Sequence, residues 1–292
     1  MKKISLFVAI FIFSTGLNCF ALDWKRLHEE ADSITKSQVA NLLQSNPASV
    51  DSLYVLGLFY LNEHKDKEAK EAFEKVLSLQ PDIIEAKWGV AEVLRRQHNI
   101  QEAQDLIGEV LKTKPDFVPA KITLAYIKYR QFDLNAAVRL SLQVIEQGRE
   151  NVDLSNYTRA YLIYGGTKGM IAHYGGPISK VVNGTAVFPN LKKAQKLQPN
   201  SAAVMFGIGS FYLLAPSLAG GDLAQAEIYL KKAVEIDPNL SDAFVRLAQV
   251  YKVKGDTEKY NFYLNKALEI DPKNELALDI KEGKCRFICV GK

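Results

Sequence analysis

Glycine and proline are sparse in this chain, 18 and 10 among 292 residues, which excludes a low-complexity linker or a disordered tail. Hydrophobic residues make up 48% of it, enough to build an ordered core. Cysteine is scarcer still, with three residues at 19, 285 and 289. Two neighbouring cysteines with no histidine near them in sequence fall short of a zinc site. The four histidines are equally uninformative as catalysts: no serine, histidine and acid group suggests a triad. The segment YGGTKGM (164–170) lacks the Gly-Lys-Ser/Thr of a phosphate-binding loop and follows a helical pattern. No excess of charge is present, since 37 basic residues face 33 acidic ones, so there is no basic footprint for nucleic acid. No catalytic, cofactor or metal residue is expected, and the chain reads as a non-enzyme.

The first residues, MKKISLFVAIFIFSTGLNCFALDW, place Lys2 and Lys3 before an apolar run from Ile4 to Phe13, then small and polar residues up to Ala21. This is the layout of a secretory signal peptide over 1–21, with cleavage after Ala21 and a mature chain starting at Leu22 in the periplasm or outside the cell. A membrane anchor needs an apolar span of about 20 residues, which this run does not reach. Lipid attachment at Cys19 stays open as an alternative. Cleavage removes two lysines and no acid, leaving a balance of +2. The mature chain then keeps Cys285 and Cys289, which in an oxidising compartment can form a local disulfide, with free thiols as the second reading.

What the sequence does have is an internal repeat. Residues 50–83 align with 84–117 over their whole length: Leu53, Leu56, Gly57, Tyr60, Ala69, Phe73, Val76 and Pro81 recur as Lys87, Val90, Ala91, Leu94, Ala103, Ile107, Val110 and Pro115. Residues 241–274 repeat the pattern with Phe244, Leu247, Ala248, Tyr251, Tyr260, Leu264, Ala267 and Pro272. Apolar positions at i, i+3, i+4 and i+7 stripe one helix face, and small residues at places 8 and 20 let two helices approach closely. Proline at place 32 ends the second helix. Each helix pair leaves a face uncovered, so neighbours must stack to bury it.

These places resemble the tetratricopeptide repeat, and the resemblance covers residues 50–274. It implies an all-α, right-handed α-solenoid of stacked helix-turn-helix units. The expected division is a capping segment at 22–49, repeats at 50–83, 84–117, 118–151, 158–201, 202–240 and 241–274, and a capping helix from 275 to 292. The third unit is degenerate, with Arg149 where proline is expected. The fourth holds ten extra residues within YGGPISKVVNGTAV, and the fifth matches the second-helix places five residues late, so both are expected to have lengthened turns between helices A and B. In the fifth, YLLAPSLAGGD reads as a turn in which Pro216 stops one helix and Gly220, Gly221 and Asp222 reverse the chain. Both inserts belong on one edge, where they would serve recognition; the alternative is that they are tolerated insertions, since long surface loops cost little in closure entropy.

The family resemblance also implies a concave groove lined by helix A residues. Carried over by place, these are Tyr54 and Leu58, then Trp88, Glu92, Arg95 and Arg96, then Ile122, Tyr126, Tyr129 and Arg130, then Phe206 and Leu213, with Ser210 and Leu214 beside them. Aromatics interspersed with arginines suit a peptide or partner helix. Alternatively these aromatics pack against the C-terminal helices and leave no open groove. The Lys and Asn places of chaperone-tail clamps are Tyr54 and Leu58, so that use is not expected. The Pro-x-x-x-Gly-Gly-Asp turn resembles that of exported bacterial tetratricopeptide proteins, some of them similar to the periplasmic component associated with tripartite solute transporters. The implied function is an exported scaffold binding a protein or peptide; the alternative is an uptake component holding a small hydrophobic ligand, and an enzyme accessory subunit comes third.

Overall fold

The computed structural model describes residues 22–45 and 49–290, so the leader expected at 1–21 and Cys19 lie outside the described residues. Among the described residues there are fifteen α-helices, one short 3₁₀ turn and no strand. Six antiparallel pairs follow the repeats: α3 (Val50–Asn62) with α4 (Asp66–Leu79), α5 (Ile84–Arg96) with α6 (Ile100–Thr113), and α7 (Val118–Arg130) with α8 (Leu134–Glu146). Then come α9 (Leu154–Tyr174) with α10 (Pro177–Leu197), α11 (Ala202–Leu214) with α12 (Leu223–Ile236), and α13 (Ser241–Lys254) with α14 (Thr257–Ile270). Two helices precede them, α1 (Trp24–Ser33) and α2 (Lys36–Ser45), and α15 (Glu275–Lys281) follows.

The punctuation of the helices follows from residue chemistry. Asp133, Asp153, Asp222, Asp256 and Asn274 cap helix starts by accepting backbone N–H bonds two or three residues on. Helices α4, α6, α10, α12 and α14 stop two residues before Pro81, Pro115, Pro199, Pro238 and Pro272, because the residue before a proline is pushed out of the helical region. Unit three lacks that proline and ends α8 through Gly148, at φ 78°. At place 15 the chain enters the left-handed region in four units, at His64, His98, Phe132 and Gly255. In each, the next N–H reaches back to a carbonyl five residues earlier, as from Lys65 to Tyr60 and from Asn99 to Leu94, which closes the helix end.

The fourth unit corrects the sequence expectation. Its extra residues lengthen both helices to 21 residues, and only Gly175 and Gly176 form the turn. Gly175-Gly176 reads as a long flexible loop in sequence, but Pro177 at the first helical position has its φ preset for a helix. Pro189 lies inside α10 and does not end it. The unit also begins at Leu154, capped by Asp153, earlier than residue 158. The fifth unit does have the long turn: a 3₁₀ segment at Ser217–Ala219, Gly220 at φ 97°, and Asp222 accepting from the Ala224 and Gln225 N–H groups.

Phe73 of α4 is a fully buried ring gripped by two glycines, one on α3 of its own unit and one on α5 of the next. A Cβ at Gly57 or at Gly89 would fall 2.6 Å from that ring. Gly57→Ala therefore forces the ring or the α3–α4 pair to move, and is expected to cost about 1–3 kcal/mol. Urea unfolding checks this; a variant as stable as the parent would show that the α3–α4–α5 interface is looser than described.

Candidate functional site

The concave face of the first three repeats is occupied. Helix α1 does not simply cap the end: its Trp24 ring meets Phe117 edge to face at 5.7 Å, and His28 packs on Trp88 at 5.1 Å and Tyr54 at 6.0 Å. Leu213 lies buried among core residues of α12 and α13, which corrects its assignment to an open groove. Tyr54, Leu58, Trp88, Glu92 and Ile122 are buried in this first half, which corrects theirs likewise. The physical reason is the apolar side of α1, whose Leu27, His28 and Ala31 are all buried. Tyr129 packs against Phe287 at 6.5 Å, and Phe206 is half-buried among the core residues of α11 and its neighbours. Cys285 and Cys289 are joined by a disulfide, with their Cα atoms 5.2 Å apart.

A polar network runs through this filled groove. Asn156 Nδ2 donates to His28 Nδ1 at 3.4 Å, so His28 Nε2 carries the hydrogen and donates to the Tyr54 hydroxyl at 3.0 Å. Burial pushes the His28 imidazolium pKa down to about 4, with Arg159 adding to the effect and Asp153 opposing it. Glu92 accepts both Nε and Nη2 of Arg95, at 3.0 and 2.8 Å, and the Thr123 hydroxyl at 2.8 Å. Burial disfavours its charge, but Arg95, Arg159 and these bonds outweigh that and bring its pKa down to about 2.

The remaining expected groove residues converge elsewhere. Arg95, Arg96, Tyr126 and Arg130 line a cavity of about 460 Å³ between the A–B turns of the early repeats and the last two repeats. This cavity exists because the solenoid closes on itself. His64 pairs with Asp237 at 3.0 Å and His98 with Asp271 at 3.1 Å, each across 173 residues. Arg130 joins Glu275 at 3.1 Å and Asp242 at 3.5 Å. Phe132, third in the place-15 series, meets Phe287 of the C-terminal disulfide loop at 5.1 Å. Arg246 fixes that loop by donating to the carbonyls of Phe287 and Ile288, at 2.9 and 2.8 Å.

The lining is rich in charge of both signs. All three nitrogens of Arg96 are engaged: it donates to the Leu61 carbonyl and to His64 Nδ1 and pairs with Asp66. Arg95 lies over the Tyr126 ring at 4.7 Å, and among the described residues its Nη1 has no hydrogen-bond partner. The Tyr126 oxygen accepts from Arg130 Nη1 at 3.2 Å, leaving its own proton to donate. Arg95 and Tyr126 thus offer two donors to a bound oxygen, while Asp242, Asp271 and Glu275 supply negative charge on the facing wall.

His64, His98, Asp237, Asp242, Asp271 and Glu275 are not among the site residues expected from the sequence. The signal was available: one residue type at place 15 of two consecutive repeats, and Asp-Pro at places 31–32 of the last two. Among the described residues, no group of three or more His, Cys, Asp or Glu side chains could hold a metal ion. No described helix is long and apolar enough to cross a membrane.

The tetratricopeptide-repeat family pattern matches residues 50–83, 218–240 and 241–274. These segments are tetratricopeptide repeats. No curated protein matches the chain. Among solved structures, a tetratricopeptide repeat protein from Parabacteroides merdae is 14% identical at a TM-score of 0.53, with 89% of this chain and 97% of that one covered. The Cut9–Hcn1 hetero-tetramer of the APC/C gives 16% identity and a TM-score of 0.56, with 88% of this chain covered and 47% of that one. The Pseudomonas aeruginosa pilF structure gives 15% and 0.46, with coverages of 82% and 98%. The first two share the stacked-helix fold. Tetratricopeptide repeats are protein-interaction scaffolds.

The buried histidine sets a pH dependence. Its folded pKa of about 4 lies below the ordinary 6.5, so the unfolded chain binds more protons between those values. The His28 contribution is full above about pH 6.5 and is lost as the pH falls towards 4, up to about 3 kcal/mol. Glu92 loses its contribution only lower, between 4.5 and about 2. In His28→Gln, urea midpoints should fall less steeply than in the parent over the upper window. An unchanged slope there would mean that His28 titrates freely.

Proposed function

We propose that the protein is an exported, non-enzymatic scaffold that binds a polar segment of a protein or peptide partner in the seam cavity. The observation that carries this is the convergence of Arg95, Tyr126 and Arg130 on one cavity while the rest of the groove is filled. Repeats of this family bind protein partners, and the two donors at Arg95 and Tyr126 suit a peptide carbonyl or carboxylate. Cationic side chains of the same segment would meet Glu275, Asp271 and Asp242. A small hydrophobic ligand fits this lining less well, because it would desolvate charged groups without pairing them. The leader-like start supports export, with the mature chain beginning at Leu22.

Crosslinking capture from the native cell envelope supplies the partner, and two mild variants test the site. Tyr126→Phe removes only the hydroxyl, and Arg95→Lys keeps a charge beside Glu92 while losing the planar fork. Each should weaken the captured partner by about 1–2 kcal/mol, measured by calorimetry well below the melting temperature of each variant and with a parent-like circular dichroism spectrum. Full affinity in both variants would remove the seam cavity from the binding account.

A further inference from the structure

From Leu154 to Gly221 the chain has no aspartate or glutamate, although it carries 33 acids in all. The same stretch holds Arg159, Lys168, Lys180, Lys192, Lys193 and Lys196. It forms α9, α10, α11 and the loop beyond, including the helix pair that is longest in the molecule. One stripe of α10 points outward along its whole length: Ile178, Val182, Thr185, Pro189, Lys193 and Lys196 are all exposed, at helical spacing. Its first half is apolar and its second half basic. Ile178 is 81% exposed, Val181 65% and Val182 63%, and Tyr174 is exposed at the adjoining end of α9.

This tip also projects. Phe188 of α10 stacks on Phe211 of α11 at 4.7 Å. Helix α11 ends three residues past Phe211, at Leu214, whereas α10 extends eleven residues back from Phe188 to Pro177. The two helices are antiparallel, so α10 overshoots its neighbour by about 12 Å at the standard helical rise. Leu218, in the loop at that same end of α11, is fully exposed.

We propose that the outward face of α10 docks on an anionic lipid bilayer. Ile178, Val181 and Val182 enter the boundary between headgroups and acyl chains, Tyr174 sits at headgroup level, and Lys180, Lys193 and Lys196 pair with lipid phosphates. Charge complementarity favours this surface, since a bilayer rich in acidic lipid attracts a basic face that has no acid to repel it. The chemistry of the patch favours lipid over protein. Protein hot spots use Trp, Tyr and Arg in pockets, whereas the exposed side chains of this patch are mainly aliphatic. Aliphatic and basic side chains exposed along one outward stripe can rest together at the boundary between headgroups and acyl chains. Helix α10 is not apolar enough to span the bilayer, which restricts it to that plane.

The test uses the chain from Leu22, so that the apolar run at 4–13 cannot bind lipid itself, and measures sedimentation with vesicles. Phosphatidylcholine vesicles containing roughly a third phosphatidylglycerol should capture the protein, more weakly as salt rises, and pure phosphatidylcholine should capture little. The double variant Ile178→Asp/Val182→Asp should bind about tenfold more weakly or less, with an unchanged circular dichroism melt. Lys193→Glu/Lys196→Glu should bind weakly at all salt concentrations. In Ile178→Trp, the added fluorescence should be quenched by brominated lipid, which separates insertion from surface adsorption. Failure of the parent to sediment with phosphatidylglycerol vesicles would overturn the proposal, as would parent-like binding by the double aspartate variant. Loss of a protein partner by that variant, with no vesicle binding by the parent, would assign the face to protein and overturn it equally.

Discussion

The Arg130 guanidinium is mostly buried where α7 meets the last repeats, with Glu275 and Asp242 around it and the Phe287 ring over its face at 4.7 Å. A charge in that position is costly unless it is paired. Burial alone would lower its pKa, but Tyr126, Asp242 and Glu275 overcome this and hold it raised. Once α7 presents Arg130, the C-terminal repeats must close on it to supply the carboxylates. His64–Asp237 and His98–Asp271 repeat that closure two units and one unit earlier, in a register kept by the shared repeat length.

Closure explains why so little open concave face is left along these repeats. Helix α1 enters the groove from one side, and the first turns of α9 enter from the other through Asn156 and Arg159. What survives is the seam cavity, whose walls come from opposite ends of the sequence. The C-terminal disulfide then has a wider role than its short loop suggests, because Phe287 inside it forms the third contact of the seam, against Phe132. The left-handed residues at place 15 aim these side chains across the gap, and the backbone strain of a non-glycine residue there is offset by the contacts it makes.

Much of the fold was legible in the sequence because its determinants are local. Gly57, Ala69 and Pro81 specify one helix pair by spacing alone, and the same places in the final repeat specify another. Pro216, Gly220 and Asp222 likewise announced their turn. The burial of Trp88 and Tyr54 was not legible, since it depends on α1 folding back over them, and no periodicity encodes which face of a solenoid a preceding helix will cover. Gly175-Gly176 misled for a different reason: two glycines can mark a long loop or the tightest of turns, and only Pro177 with the continuous helix behind it decides. The acid-free stretch from 154 to 221 could be read by eye, but it acquires meaning only when the outward stripe of α10 is known.

The closed seam is the claim on which the cavity depends, and a double-mutant cycle between Arg130 and Glu275 tests it most directly. The two residues are 145 apart in sequence and belong to different repeats, so they can couple only if the solenoid is closed. Urea unfolding of Arg130→Met, Glu275→Gln and the double variant should give a coupling energy of about 1 kcal/mol or more, as expected for a partly buried, hydrogen-bonded pair. Additive effects within about 0.3 kcal/mol would mean that the two halves stand apart in solution, and would contradict the account.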